Sequence, residues 1–199
     1  MRTLEQLGAQ KTNAVLEVLD GHRPVSKQKY PDDRLNFANN GWRAYYHCHD
    51  VPGDNTAEHG HFHLFVRVND DKDWCHVCAL SIDDEGQPLA WFMVNQWVSG
   101  TPWLPADQIA PLLNTITIPD SVSVTERWLL DLLIVFRGSI KELLFKRDQV
   151  LRRLIDKSTQ DDIFNDRQVY GLCRHAIKLE SALMGVLNNE TSNTGEKES

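Results

Sequence analysis

The alternation of apolar and polar residues predicts an antiparallel sheet in the first half of the chain. Two stretches with strand character, Arg43–Asp50 and Glu58–Val68, are joined by a polar connection that contains Pro, Gly, Asp and Asn. Two further strand-like runs follow at Trp74–Ile82 and Leu89–Val98, each after a short polar turn. Because short turns join strands that are neighbours in sequence, we expect an antiparallel meander of about four strands.

Helical periodicity is found on both sides of this predicted sheet. Apolar residues at spacings of three and four, with a capping-box pattern at the start, predict one helix over Thr3–Leu19 and a long helical segment over Ser123–Ser158. Asp161–Leu187 is interpreted as a further helix. The predicted fold class is therefore α+β: an antiparallel sheet of about four strands, preceded by one helix and followed by a long helical segment that covers one of its faces.

Chain length and the segments without periodicity indicate the domain organisation. Arg23–Gly41 contains two prolines, two aspartates and several asparagines, and it is interpreted as an irregular covering loop. A chain of 199 residues is typical of one domain, and we expect residues 1–188 to form a single globular domain. Residues 189–199 have nothing apolar to bury, which predicts a disordered tail.

Composition and charge narrow the classes of protein. The apolar and charged fractions, 41% and 25%, are those of an ordinary globular protein. A net charge of −7 without a Lys/Arg-rich run argues against a nucleic-acid partner. The sequence has neither an apolar run of membrane-spanning length nor a signal-peptide core at its start, so we expect a cytoplasmic protein without a membrane partner. Cys75 and Cys78 lie in a strand pattern, and their odd spacing predicts buried thiols on opposite faces rather than a redox or zinc motif.

The number and spacing of the histidines suggest a metal site. Five of the eight fall between His47 and His63, and they are spaced two apart within each strand. Residues two apart share a face of a strand, and antiparallel pairing would place two rows of imidazoles roughly 5 Å apart. Such a grid can converge several ring nitrogens on one metal ion. We predict four metal ligands (His47, His49, His61 and His63), and we expect the apolar row on the other face of the second strand to face the core (Phe62, Leu64, Val66 and Val68).

Other polar residues near the grid are candidates to complete a site. His59 is interpreted as a fifth ligand or a supporting group, and Asp50 and Glu58 as sources of a carboxylate. His76 lies on the third predicted strand, and alternation leaves its face undecided. We predict catalytic roles for Glu58, His59 and Arg67, with the arginine on the histidine side of the sheet, where it would either bind a substrate carboxylate or phosphate or pair with surface acids.

The residue types leave the metal and the reaction open. Three imidazoles with an open position suit catalytic zinc, and two imidazoles with one carboxylate suit non-haem iron(II). One functional class is a metal-dependent enzyme, a zinc hydrolase or lyase or an iron(II) oxygenase, that acts on a small anionic substrate. The other class is a non-catalytic metal-binding or sensing protein that forms a homo-oligomer through its C-terminal helices.

Two resemblances accompany this interpretation. Glu58–Val66, the preceding Tyr46-His47-x-His49 and, more loosely, Asp166–Leu183 resemble an uncharacterised bacterial protein family that carries a His-Gly-His-Phe-His motif. That resemblance implies an ordered domain centred on the histidines and no particular reaction. His59–Phe65 is also similar to the histidine-triad pattern, apart from glycine at the first apolar position. This second resemblance implies a nucleotide hydrolase or transferase in which His61 attacks a phosphorus atom.

Overall fold

The computed structural model describes residues 2–37, 41–49, 57–68, 74–157, 162–179, 181–182 and 184, so Asp50 and the predicted tail at 189–199 lie outside the described residues. Within these ranges, the chain forms one antiparallel sheet with helices before and after it. The strands are β1 (Tyr30–Phe37), β2 (Trp42–Cys48), β3 (Gly60–Arg67), β4 (Trp74–Ile82), β5 (Pro88–Val94) and β6 (Gly171–Ala176). The helices are α1 (Arg2–Ala9), α2 (Ala14–Leu19), α3 (Gln96–Ser99), α4 (Ala106–Ile109), α5 (Val124–Val135) and α6 (Arg137–Lys157), with 3-10 turns at Ala110–Asn114 and Ile163–Asn165.

The strands lie in the sheet in the same order as in the chain, and each one pairs antiparallel with the next. Strands β2 to β5 correspond to the four predicted runs, so the meander is confirmed. The prediction of about four strands is wrong in number, because β1 and β6 extend the described sheet to six.

Strand β1 lies within Arg23–Gly41, which we predicted to be an irregular loop. Its sequence, YPDDRLNF, contains a proline and two aspartates, residues that are depleted in strands. The pairing with β2 is irregular between Tyr30 and Leu35, and Arg34 in this interval has a φ of 66°. Proline is tolerated in an edge strand, so the pairing offered by β2, rather than local propensity, decides this element.

Strand β6 contradicts the helix predicted over Asp161–Leu187. Strand β6 pairs with β5 along its length, and its partners there are Ala90 to Val94. The spacing of four between Cys173 and Ile177 also fits a helix, which explains the wrong prediction. Pairing with the free edge of β5 outweighs this weak local preference.

The predicted helices are present but divided. The helix expected over Thr3–Leu19 is two helices, because the Asn13 side chain accepts hydrogen bonds from the backbone N–H groups of Val15 and Leu16 and starts α2. The capping box of Ser123 and Glu126 at the start of α5 is confirmed. None of the helices in the described ranges is long and apolar enough to cross a membrane.

The helices cover one face of the sheet and bury an apolar core there. Phe62 and Leu64 of β3 are fully buried and Val66 is nearly so, as predicted, while Val68 packs against this core with part of its surface exposed. The ring of Phe62 lies 6.0 Å from that of Trp128 on α5. Burial of each such side chain stabilises the fold by about 1.5–3 kcal/mol. Alternation turns the residues between them to the opposite face.

A bulge in β4 determines which face of the sheet His76 occupies and which face Cys75 and Cys78 occupy. Leu64 pairs with Cys78, but the next residue of β3, Phe65, pairs with His76, so β4 has one extra residue at this point. Cys75 and Cys78 therefore both face the core, which corrects the prediction of opposite faces. His76 turns to the other face of the sheet, which carries the histidines of β2 and β3 and is named the histidine face below.

Candidate metal centre

The register of β2 and β3 brings three histidines together on the histidine face. His47 is directly opposite His61, and His63 is two residues further along the same strand. The Nε2 atom of His47 lies 2.7 Å from Nε2 of His61 and 3.0 Å from Nε2 of His63. These three residues are named the histidine group below. One ring nitrogen from each of them lies within 4.8 Å of the other two. The predicted clustering on one sheet face is confirmed for these three histidines.

The surroundings of His47 and His63 favour uncharged rings. His61 and His63 are 2% and 1% exposed, and His47 is half-buried. Burial, and then the proximity of His61, lowers the pKa of His47 to about 3, and the same two causes hold the pKa of His63 well below its ordinary value. A neutral imidazole keeps one nitrogen lone pair, which is the form that binds metal.

Hydrogen bonds on the outer nitrogens orient two of the rings. Nδ1 of His61 lies 2.7 Å from Oε1 of Glu58, and Nδ1 of His63 lies 2.9 Å from Nε2 of His76. Burial lowers the pKa of His76 to about 3, so this ring is neutral and can accept a hydrogen bond. Metal-binding histidines almost always donate their second N–H to such a partner, because the bond fixes the tautomer and the ring plane.

The distribution of protons over the ring nitrogens of the histidine group indicates that the space between the three Nε2 atoms suits a cation. The Glu58 carboxylate can only accept, so Nδ1 of His61 carries a proton, and in the neutral form of this ring Nε2 presents a lone pair. In the tautomer in which Nδ1 of His63 donates to Nε2 of His76, Nε2 of His63 likewise presents a lone pair. His47 has one Nε2–H at most and can satisfy one of its two contacts, whereas a cation would satisfy all three nitrogens. Nitrogens bound to tetrahedral zinc at 2.0–2.1 Å are about 3.3 Å apart, so the rings would move apart by a few tenths of an ångström from the observed 2.7 and 3.0 Å to hold the ion.

Glu58 is anchored beside the histidine group. Its Oε1 accepts from His61, its Oε2 accepts from the Ser81 hydroxyl, and Nη1 of Arg174 lies 3.8 Å from Oε2. Burial favours a raised pKa for this carboxyl, but the hydrogen bonds from His61 and Ser81 and the nearby charges outweigh it and lower the pKa. Both oxygens are therefore engaged in orienting other side chains.

His49 lies next to the histidine group but is not one of its three members. Its ring centroid is 4.7 Å from that of His47 and 5.0 Å from that of His61. The Nε2 atom is buried and has no hydrogen-bond partner among the described residues. Burial, and then His61, lowers the pKa of His49. Its predicted role as a fourth ligand stays a prediction.

His59 contacts a core residue instead of the histidine group. Its Nδ1 atom is hydrogen-bonded to the Tyr46 hydroxyl, and the two rings stack with centroids 6.1 Å apart. The Tyr46 side chain reaches His59 by crossing Gly60. A Cβ atom at Gly60 would meet the Tyr46 hydroxyl and would lie 2.5 Å from the backbone carbonyl oxygen of His47. This close approach explains the glycine in the His-Gly-His motif.

Arg67 and Arg174 differ in their placement relative to the site. Arg67 lies on the histidine face, as predicted. It is four residues beyond His63 on β3, which is roughly 13 Å along the strand. Its guanidinium lies over Trp74, 4.8 Å from the ring centroid. Arg174 of β6 is beside the site, where its Nη2 donates to the Ser81 hydroxyl at 3.2 Å. Sequence reasoning missed Arg174 because it assigned this region to a helix.

A cavity of about 590 Å³ opens next to the histidine group. Its wall includes polar side chains (His49, His61, Glu58 and Arg174) and two aromatic ones (Phe92 and Tyr170). A volume of this size accommodates a small organic molecule. The geometry therefore combines convergent imidazoles, an anchored carboxylate and an exposed guanidinium around one open space.

Comparison with known proteins identifies a family and no activity. No curated protein and no solved structure matches the chain. The family described as a domain of unknown function, DUF6969, matches residues 1–177, a range that includes the sheet, the histidine group and the helices described above. The chain belongs to the DUF6969 family.

Proposed function

We propose that this protein binds a divalent transition metal through Nε2 of His47, His61 and His63, and that it is a metal-dependent enzyme acting on a small anionic substrate. One observation carries the proposal: the three Nε2 atoms converge while the outer nitrogens of His61 and His63 are held by Glu58 and His76. This arrangement is what metal-binding histidines require of their surroundings.

The donor set favours zinc over iron(II). Three imidazole nitrogens with no coordinating carboxylate are typical of a catalytic zinc site. An iron(II) site of the two-histidine, one-carboxylate type would need Glu58 as a ligand, and both of its oxygens are engaged with His61 and Ser81. A divalent metal at the histidine group would supply a Lewis acid. His49, whose buried Nε2 has no partner among the described residues, lies beside the position that a catalytic zinc keeps open for water or substrate. As a fourth ligand it would close the site, and a closed site would favour the non-catalytic binding protein.

The residues around the cavity suit an anionic substrate with an apolar part. The Arg174 side chain is 55% exposed, so its guanidinium can exchange solvent for a carboxylate or phosphate. Phe92 and Tyr170 offer apolar surface next to it. We therefore assign substrate binding to Arg174 rather than to Arg67. Glu58 positions His61, and His59 lines the cavity, where it can contact the substrate.

Two alternatives differ from this proposal in testable ways. A non-catalytic metal-binding or sensing protein would not need a cavity beside the histidine group, and the 590 Å³ space therefore favours the enzyme. A histidine-triad enzyme would use His61 as a nucleophile without metal. In that case, nucleotide cleavage would persist in the presence of a chelator and in a His47→Ala variant.

Elemental analysis of protein purified without a histidine tag tests the proposal. We expect about one zinc per chain, with metal content strongly reduced in His47→Ala and His63→Ala. His175→Ala is the matched control, because this histidine is exposed on β6 and should not affect the metal. Full metal content in both ligand variants would contradict the proposed site. Activity on a panel of small phosphate and carboxylate esters, lost with EDTA and restored by zinc, would distinguish an enzyme from a binding protein.

A further inference from the structure

A second group of charged residues lies on the histidine face, on the side of β1 and β2. It consists of Lys29, Arg34, Arg43 and Arg67, named the basic cluster below. Nζ of Lys29 and Cζ of Arg34 lie 4.7 and 5.3 Å from the centroid of the Tyr45 ring. Cζ of Arg43 and Cζ of Arg67 lie 4.3 and 4.8 Å from the centroid of the Trp74 ring, and the guanidinium of Arg43 also lies over Phe65.

The basic cluster has no compensating acid within the described part of the chain. The ion pairs found there join Glu58 to His61 and to Arg174, and Asp148 to Arg147. Burial, and then Arg34, lowers the pKa of both Lys29 and Arg43. Four cations are therefore held together against their mutual repulsion, in a protein whose net charge is −7.

Hydrogen bonds hold the guanidinium of Arg34 in place, and partial burial restricts that of Arg43. Arg34 adopts a left-handed φ of 66°, which L-amino acids rarely adopt. Its Nη1 donates to the carbonyl oxygens of Asp32 at 2.8 Å and Pro31 at 3.3 Å. Arg43 is half-buried, and its Nε–H is buried without an acceptor among the described residues. A buried N–H of this kind calls for a hydrogen-bond partner other than the described residues.

We propose that the basic cluster binds a small anion with two or more phosphate groups, at a site that adjoins the histidine group through the Tyr45 ring. Guanidinium groups bind phosphate oxygens in pairs, and several phosphates would balance the gathered positive charges. A long polyanion such as nucleic acid fits less well, because the negative charge of the protein as a whole would repel it beyond this one patch.

Calorimetric titration of the full chain with tripolyphosphate tests this proposal. EDTA is included, so that chelation of a bound metal does not contribute and the result does not depend on the metal proposal. We expect saturable 1:1 binding in 50 mM salt that weakens at 300 mM salt, because added salt screens the charges. Orthophosphate, with one phosphate group, and citrate, with carboxylates only, should both bind at least tenfold more weakly. Citrate that binds as tightly as tripolyphosphate would overturn the assignment to phosphate.

Substitutions locate the site. Arg43→Gln and Arg67→Gln should each weaken tripolyphosphate binding about tenfold or more, since each removes a charge-assisted contact. Arg152→Gln on α6 is the control, because it removes an exposed arginine from another surface. Lys29→Gln is a third test variant, and because Lys29 is exposed, its substitution should not disturb folding. Circular dichroism would check the folding of every variant.

Three further results would overturn the proposal. The first is the absence of saturable binding by the wild-type chain. The second is an equal loss of affinity in Arg152→Gln, which would indicate diffuse attraction. The third is binding that is lost in Arg174→Gln but kept in the basic-cluster variants, because the anion would then occupy the cavity beside the histidine group.

Discussion

Replacement of Glu58 tests whether the hydrogen bond behind His61 is part of a metal site. The Glu58 carboxylate accepts from Nδ1 of His61 at 2.7 Å and is 20% exposed, so this contact is partly shielded from water. Loss of such a supporting group typically lowers metal affinity 10- to 100-fold. For Glu58→Ala, we expect zinc affinity to fall by that factor, which corresponds to roughly 1.4–2.8 kcal/mol of binding free energy.

A second substitution separates the acceptor from the charge. In Glu58→Gln, the amide oxygen can still accept from His61, so we expect a smaller loss of zinc affinity than in Glu58→Ala. Glu85→Ala is the matched control, because it removes an exposed carboxylate in the turn between β4 and β5.

Competition with a chromogenic chelator at equilibrium would measure the zinc affinity of each variant. The thermal shift at saturating zinc would report the same difference through ligand-linked stability. A folded Glu58→Ala variant that binds zinc within twofold of the wild-type affinity would refute the role given to this carboxylate. An equal loss in Glu85→Ala would refute it as well.

The remaining predictions concern a ligand, an acid transition and a glycine. If His49 is the fourth ligand, His49→Ala should lower the metal content and the melting temperature. If the protein instead cleaves nucleotides without metal, and the substitution changes neither its metal content nor its melting temperature, the histidine-triad resemblance would be supported. The unfolded chain protonates His76 below about pH 6.5, whereas its folded pKa is about 3. As the pH falls from 6.5 to 4.5 in EDTA, stability should therefore fall by about 2 kcal/mol. Denaturant titrations of His76→Gln should show a flatter dependence on pH, and an equal slope would contradict this assignment. Gly60→Ala should destabilise the protein by about 1–3 kcal/mol, while Gly138→Ala, which has open space around its Cβ position, should not lower the melting temperature.

The sequence alone predicted the part of the fold that depends on local signals. The strands β2 to β5 follow one another through short turns, so their pairing needs no information from distant residues. His47, His61 and His63 share a face because a strand has a period of two, and a hairpin brings its two strands into contact. The capping box of Ser123 and Glu126 is similarly local.

The tertiary structure decided the remaining features. Edge strands β1 and β6 have weak or contrary local preferences, and they form because β2 and β5 offer unpaired backbone groups. The bulge in β4 turns His76 behind His63, and no period in the sequence marks that extra residue. Arg174 reaches the site only because β6 crosses from the far end of the chain to pair with β5. These contacts join residues that are distant in sequence, and their free energy comes from pairing and burial rather than from local conformation.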